Sequence, residues 1–220
     1  MAVFSVLVGF FISLFLAANL SFFFFLICLL YLLIHFSYSI YLKQIAIVDV
    51  LLIAAGFILR VWAGAAAVDA HISVWLLLCV TSFSLFLAVG KRRCEAKLLR
   101  DLAVKHRQAL LSYPEKLLDF YTLMFATSTW LTYALFTFSA PTAVEQGKFL
   151  SFMAFLPRTL VAQKWLMMTV PLVIYGVMRY LQLIYDKGEG ESPEEVFLSD
   201  KPLMTTVFAW IILIIIVVYI

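Results

Sequence analysis

Hydrophobic residues in this chain come in long unbroken runs, not at the spacing of a surface helix or a half-buried strand, and polar residues fall between the runs. From Met1 to Leu42 there is no Asp, Glu, Lys or Arg. At about 1.5 Å per residue that stretch is roughly twice the thickness of a bilayer core, so it has to fold as two spans. Ala18-Asn19-Leu20-Ser21 is the polar break between them. The pattern predicts spans at about 2–18, 21–42, 44–68, 72–89, 120–140, 165–185 and 202–220. Polar connections are expected at Pro141 to Gln163 and, with Gly188, Gly190 and Pro193, at Asp186 to Lys201. Ser112-Tyr113-Pro114-Glu115 reads as a helix start. The fold class expected is an all-α, polytopic transmembrane bundle of about seven spans in one domain, residues 1–220.

Composition agrees with this pattern. The 220 residues are 65% hydrophobic and 13% charged, where soluble domains carry about a quarter charged residues. The net charge of +3 is modest. It is concentrated in one place, and with no DNA-binding motif this argues against a nucleic-acid partner. Cys28, Cys79 and Cys94 are too far apart for a C-x-x-C pair, so neither a disulfide framework nor a zinc site is expected. The first apolar run has no basic residue before it and exceeds signal-peptide length, so it reads as a span.

The positive charge gathers between Gly90 and Arg107. Lys91, Arg92, Arg93, Lys97, Arg100, Lys105 and Arg107 lie there, Lys116 follows, and together they make half of the 16 Lys and Arg residues. Two readings compete. Basic residues beside a span hold a loop on the cytoplasmic side and need no ligand. The same residues supply donors to phosphate oxygens, with Glu95 among them as a candidate contact for a divalent metal. With the basic segment inside, alternation places Met1, the Leu42/Lys43 turn and the 186–201 loop in the cytoplasm. Tyr38, Lys43, Asp49, Lys91, Arg92, Glu95, Arg179 and Asp200 then converge on one membrane face. Asp49 and Arg60 share a face of the third span about 16 Å apart, too far to pair directly. Arg60 is read as a snorkelling or structurally partnered residue as readily as a ligand contact.

Several stretches carry a resemblance. They are Tyr38-Ser-Ile-Tyr-Leu-Lys43 with Val48-Asp49-Val50, Gly56-Phe-Ile-Leu-Arg60-Val-Trp-Ala-Gly64, Ser73-Val-Trp75, Gly90-Lys-Arg-Arg-Cys-Glu95, and Arg179-Tyr-Leu-Gln-Leu-Ile-Tyr185 with Lys187-Gly-Glu-Gly and Pro193-Glu-Glu-Val. In their order and spacing the chain resembles the UbiA superfamily of intramembrane prenyltransferases, and more closely its decaprenyl-phosphate phosphoribosyltransferase branch. The resemblance implies a nine-span bundle around a central cavity, with diphosphate chemistry at the cytoplasmic mouth and a polyprenyl chain in a lateral groove. It implies transfer of 5-phosphoribosyl from phosphoribosyl pyrophosphate to a polyprenyl (decaprenyl) phosphate, with Mg2+, in a bacterial cell membrane, toward arabinose donors for the cell envelope. Against that pattern the seven spans correspond to the third to ninth. Two N-terminal spans and an N-D-x-x-D-x-x-x-D magnesium motif are expected to be missing. The second Asp-rich motif is replaced by Lys91 to Glu95, with one acid.

On this reading Lys43, Lys91, Arg92, Tyr38 and Arg179 are the candidate substrate contacts, and Glu95 and Asp49 the candidate magnesium contacts. The expected partners are polyprenyl phosphate, phosphoribosyl pyrophosphate and membrane lipids. A homo-oligomer stays open. The alternatives are a prenyltransferase moving an isoprenyl diphosphate to an aromatic or glycerol acceptor, against which the basic second motif counts, and a non-catalytic membrane paralogue or fragment.

Overall fold

The computed structural model describes residues 13, 14, 16–101, 114–140, 165–187 and 193–219. Most of the expected first span, the basic residues Lys105 and Arg107, and the whole of the Pro141 to Gln163 connection lie outside the described residues. The described chain is helical, with no strand among the described residues. In order the helices are α1 (Phe22–Ile40), α2 (Val48–Val68), α3 (Val74–Asp101), α4 (Glu115–Ser139), α5 (Val170–Gln182), α6 (Pro193–Ser199) and α7 (Lys201–Tyr219). A 3-10 turn at Leu42–Gln44 joins α1 to α2, another at Trp165–Thr169 leads into α5, and a π-helical turn at Leu183–Lys187 ends it.

Five stretches among the described residues are long and apolar enough to cross a membrane: Phe22–Ile40, Val48–Val68, Val74–Lys97, Trp165–Asp186 and Lys201–Val218. They coincide with five of the seven expected spans, and the protein is a multi-pass membrane bundle. Helix α4 stands where the span at 120–140 is expected. At 25 residues it is long enough to cross, but Thr122, Thr127, Ser128, Thr129, Thr132 and Thr137 make it less apolar. Each of these hydroxyls donates to a carbonyl three or four residues back, so a polar side chain is satisfied within its own helix. Large apolar side chains such as Phe22, Phe23, Leu51, Phe208 and Ile212 are exposed, as a lipid-facing surface requires.

Helix α3 is the central element. Leu85, Ala88 and Val89 pack with Val50 and Ala54 of α2 and Leu118 of α4. Phe86 and Cys94 pack with Ala126 of α4, Val177 and Tyr180 of α5, Leu183 and Ile184 of the π turn, Val196 of α6 and Leu203 of α7. Gly90 permits the closest approach, because a Cβ there would stand 2.9 Å from Ile184 Cδ1. Tyr180 is sandwiched, edge-on to Phe86 and stacked on Phe197.

The structure differs from expectation in the basic segment and in the last loop. The residues from Lys91 to Asp101 form no inter-helix loop; they continue α3 without a break, and its 28 residues reach about 42 Å. The last connection, expected as a polar loop, contains α6 and ends at Asp200. The Asp200 carboxylate accepts the Leu203 backbone N–H at 3.0 Å and so caps α7. It also receives two guanidinium N–H groups of Arg179, at 2.8 and 3.0 Å. Farther along α7, Trp210 Nε1 donates to Tyr133 Oη at 2.8 Å, and Tyr133 Oη shares a 2.6 Å hydrogen bond with Thr169 Oγ1. Three elements thereby meet at one phenol.

Asp200→Asn retains the cap acceptor and loses the charge facing Arg179, whereas Asp200→Ala loses both. Thermal unfolding in detergent is expected to rank wild type above D200N and D200N above D200A, the second step reflecting a lost cap of about 0.5–2 kcal/mol. Equal stability of the two variants would mean that the cap contributes nothing. Tyr133→Phe should cost about 0.6–1.7 kcal/mol, the scale of interhelical hydrogen bonds in membranes. The same melting experiment checks it.

Candidate functional site

The charged residues collect at the ends of α2, α3, α4 and α5 that face one another, in two adjacent clusters set by consecutive arginines on α3. Side chains one residue apart on a helix diverge by about 100°, so Arg92 and Arg93 serve different neighbours.

Arg92 turns toward α2. Its Nε lies 3.4 Å from Asp49 Oδ2, and its Nη1 donates to Glu95 Oε2 at 2.5 Å, one turn along α3. Arg92 and Asp49 are 2% and 0% exposed, so this is a fully interior ion pair. Local structure favours the acid there: Asp49 sits in the first turn of α2, where the unpaired N–H groups of the helix stabilise negative charge. The chain enters that turn through Ile47 at φ 69° and ψ −47°, a left-handed φ that a β-branched residue rarely adopts. No glycine marks this bend in the sequence.

Arg93 turns toward α4 and the π turn. Its Nε donates to Asp119 Oδ1 at 2.5 Å, its Nη1 donates to the Ile184 carbonyl at 3.3 Å, and its guanidinium lies 3.7 Å from the centre of the Tyr185 ring. Tyr185 Oη also donates to Asp119 Oδ1, at 3.1 Å. A π turn widens the helix and leaves carbonyls poorly matched to their usual donors, which is how Ile184 comes to accept from a side chain. Neither Asp119 nor the role of Tyr185 is foreseen from the sequence. The one signal for Asp119 is an acid four residues into a predicted apolar helix.

The expected site residues are brought to the same end of the bundle but not into one constellation. Arg92 is enclosed between two carboxylates, and Arg179 forms its own pair with Asp200 and donates to Gln182 Oε1 at 2.8 Å. Lys91 differs. It is half-buried beside Arg92, and among the described residues no carboxylate lies within ion-pair distance of it. Lys43, half-buried in the turn leading to Asp49, is in the same position. Tyr38 is half-buried in the last turn and a half of α1, just before that turn.

The two candidate magnesium contacts do not make a metal site as they stand. Asp49 Oδ2 and Glu95 Oε2 both face the Arg92 guanidinium, and no group of three or more His, Cys, Asp or Glu gathers among the described residues. A hard divalent ion needs several oxygen ligands, and here two of them already share a cation.

No family model matches the chain. It is similar to curated proteins named decaprenyl-phosphate phosphoribosyltransferase. The relative from Mycolicibacterium smegmatis is 33% identical over 202 residues, which cover 91% of this chain and 58% of the relative. The one from Corynebacterium glutamicum is 31% identical over 191 residues, 86% of this chain and 52% of the relative. One from Mycobacterium tuberculosis is 27% identical over 186 residues, 84% and 55% respectively. The chain spans about half the length of the curated relatives it matches. Over most of its own length the chain is similar to proteins named decaprenyl-phosphate phosphoribosyltransferase, the branch that its motifs resemble.

Proposed function

We propose that this chain provides the basic, phosphate-facing part of an enzyme that moves 5-phosphoribosyl from phosphoribosyl pyrophosphate to decaprenyl phosphate at the cytoplasmic face of a bacterial cell membrane. The product would serve arabinose donors for the envelope. The homology supports the reaction class. The observation that carries the reading within the structure is the contrast between Lys91, uncompensated among the described residues, and Arg92 and Arg93, whose charges are neutralised inside the bundle.

The chemistry makes that contrast meaningful. The bond from ribose C1 to the pyrophosphate oxygen breaks, a bond from C1 to an acceptor phosphate oxygen forms, and pyrophosphate departs with the electron pair. Positive charge develops on the ribose and negative charge on the leaving group, so the protein has chiefly to position the partners and neutralise the departing anion. Lys91 and Lys43 are the ammonium groups assigned to phosphate oxygens, with Tyr38 as a hydroxyl donor. Arg92 holds α2 against α3 and thereby fixes where Lys91 projects. Arg179 fixes α7 through Asp200. Magnesium, which the resemblance implies, would need carboxylates beyond Asp49 and Glu95, and no step is assigned to it.

The enclosure of both acids by Arg92 also favours a second reading, a non-catalytic membrane paralogue. Transfer of labelled phosphoribose to decaprenyl phosphate by purified residues 1–220 in nanodiscs would exclude the paralogue; binding of phosphoribosyl pyrophosphate without transfer fits a part of an enzyme, and a folded chain with neither fits the paralogue. Within the enzyme reading, Lys91→Ala should lose one charge-assisted contact of about 1.5–3 kcal/mol. That is roughly a ten- to hundred-fold loss of donor affinity by calorimetry, with the melting temperature unchanged. Arg92→Ala should instead lower the melting temperature, because it removes the interior cation that pairs with Asp49 and Glu95. If K91A bound donor as wild type does, Lys91 would be an orientation signal only.

A further inference from the structure

We infer that the lipid-facing side of α2 around Arg60 is a docking surface for a transmembrane helix of another protein, one that carries a carboxylate at the middle of its span. The inference is independent of which donor or acceptor the protein uses.

Arg60 breaks the rule that the other arginines with described side chains follow. Arg92, Arg93 and Arg179 each face a carboxylate, and Arg60 has none within ion-pair distance among the described residues. Its Nη2 donates to Tyr31 Oη of α1 at 2.6 Å, and its guanidinium lies 5.3 Å from the centre of the Tyr31 ring and 5.0 Å from that of Phe57. These contacts hold the group in place without neutralising it. Tyr31 is the middle residue of α1, so the guanidinium that bonds it stands about 14 Å from either end of that helix, deep in the bilayer core. A full charge at that depth is costly unless an opposite charge meets it. Arg60 is exposed, and it lines a cavity of about 390 Å³ whose walls include Ala17, Ile27, Leu32, Leu59 and Ala63.

Three features identify the occupant. Depth excludes a lipid headgroup, which stays at the surface, half a core thickness or roughly 15 Å away. A second copy of the chain is excluded as well, because every acid among the described residues lies within the first or last two turns of its helix or outside one. The surface beside Arg60 suits a helix. Ala63, Gly64 and Ala67 follow Arg60 at spacings of three, four and seven residues, on the same face of α2, and a Cβ at Gly64 would meet nothing within 4 Å. Small residues let a neighbouring backbone come close. The cavity has room for side chains and not for a whole helix, so the occupant lies against α2 and sends one Asp or Glu inward at mid-span.

The test places the whole chain, labelled with a fluorescent donor, in phosphatidylcholine vesicles. The probe is a synthetic membrane-spanning helix of leucine and alanine that carries an acceptor and has Glu, Gln or Leu at its central position. Energy transfer is expected to show the Glu helix binding wild type roughly ten-fold or more tightly than the Leu helix, with Gln between them. Arg60→Met keeps the aliphatic bulk, removes the charge, and is expected to bind all three helices alike. Gly64→Leu fills the open face of α2 and should lose the preference for Glu at an unchanged melting temperature. Equal binding of the Glu and Leu helices by wild type would overturn the inference, and so would a folded R60M that still prefers Glu. Spin-labelled phosphatidylglycerol, or a second copy of the chain, held by wild type and released by R60M without any preference among the helices would overturn it too, since the guanidinium would then serve a different partner. If R60M does not fold, G64L decides in its place: a retained preference for Glu overturns the inference.

Discussion

An ion buried in an apolar bundle has to be paired, and the charged end of this protein is arranged around that requirement. Three arginines are drawn into the interior or its edge, and each finds a carboxylate from another element: Arg92 with Asp49, Arg93 with Asp119, Arg179 with Asp200. Together the pairs tie α3 to α2, α3 to α4, and α5 to the start of α7. In water such contacts contribute little. Where water is excluded, losing one partner leaves an uncompensated charge, and the helices are held in register by that penalty. The apolar contacts alone would not fix register so narrowly, because lipid tails solvate leucine and phenylalanine as well as a neighbouring helix does.

This arrangement divides the basic residues by task. Consecutive positions on one helix face different surroundings, so Arg92 and Arg93 are consumed by the structure while Lys91, one position earlier, is not. Tyr185 extends the division: its ring supports the Arg93 guanidinium and its hydroxyl shares Asp119, so the π turn at the end of α5 is locked to α3 and α4 through one cluster. Beside these pairs Lys91 is half-buried with no carboxylate within ion-pair distance among the described residues. Within the same frame Asp49 and Glu95 share one cation, Arg92.

The sequence by itself determined the class of fold and the location of the spans. Runs such as Phe22 to Ile34, Ile72 to Val89 and Met204 to Ile220 contain no charged side chain, and a segment of that kind has few alternatives to a membrane helix. Order and spacing of short motifs also sufficed to point to the homologous enzymes, because those motifs are local. Asp49, Lys91, Arg92 and Glu95 were legible as belonging to one end of the bundle, since alternation of spans places them there.

What each of those residues does was decided by tertiary structure. Whether an arginine is available to a ligand depends on which carboxylate faces it, and those carboxylates lie 26 residues away for Arg93 and 21 for Arg179. No local pattern encodes such pairings. Asp119 carries no motif, the strained φ of Ile47 has no glycine to announce it, and the continuation of α3 past Gly90 carries Arg92 and Arg93 to carboxylates that neutralise charges which, read alone, predict a solvated loop. Hydropathy records how costly a residue is to bury; only the fold shows what it is buried against.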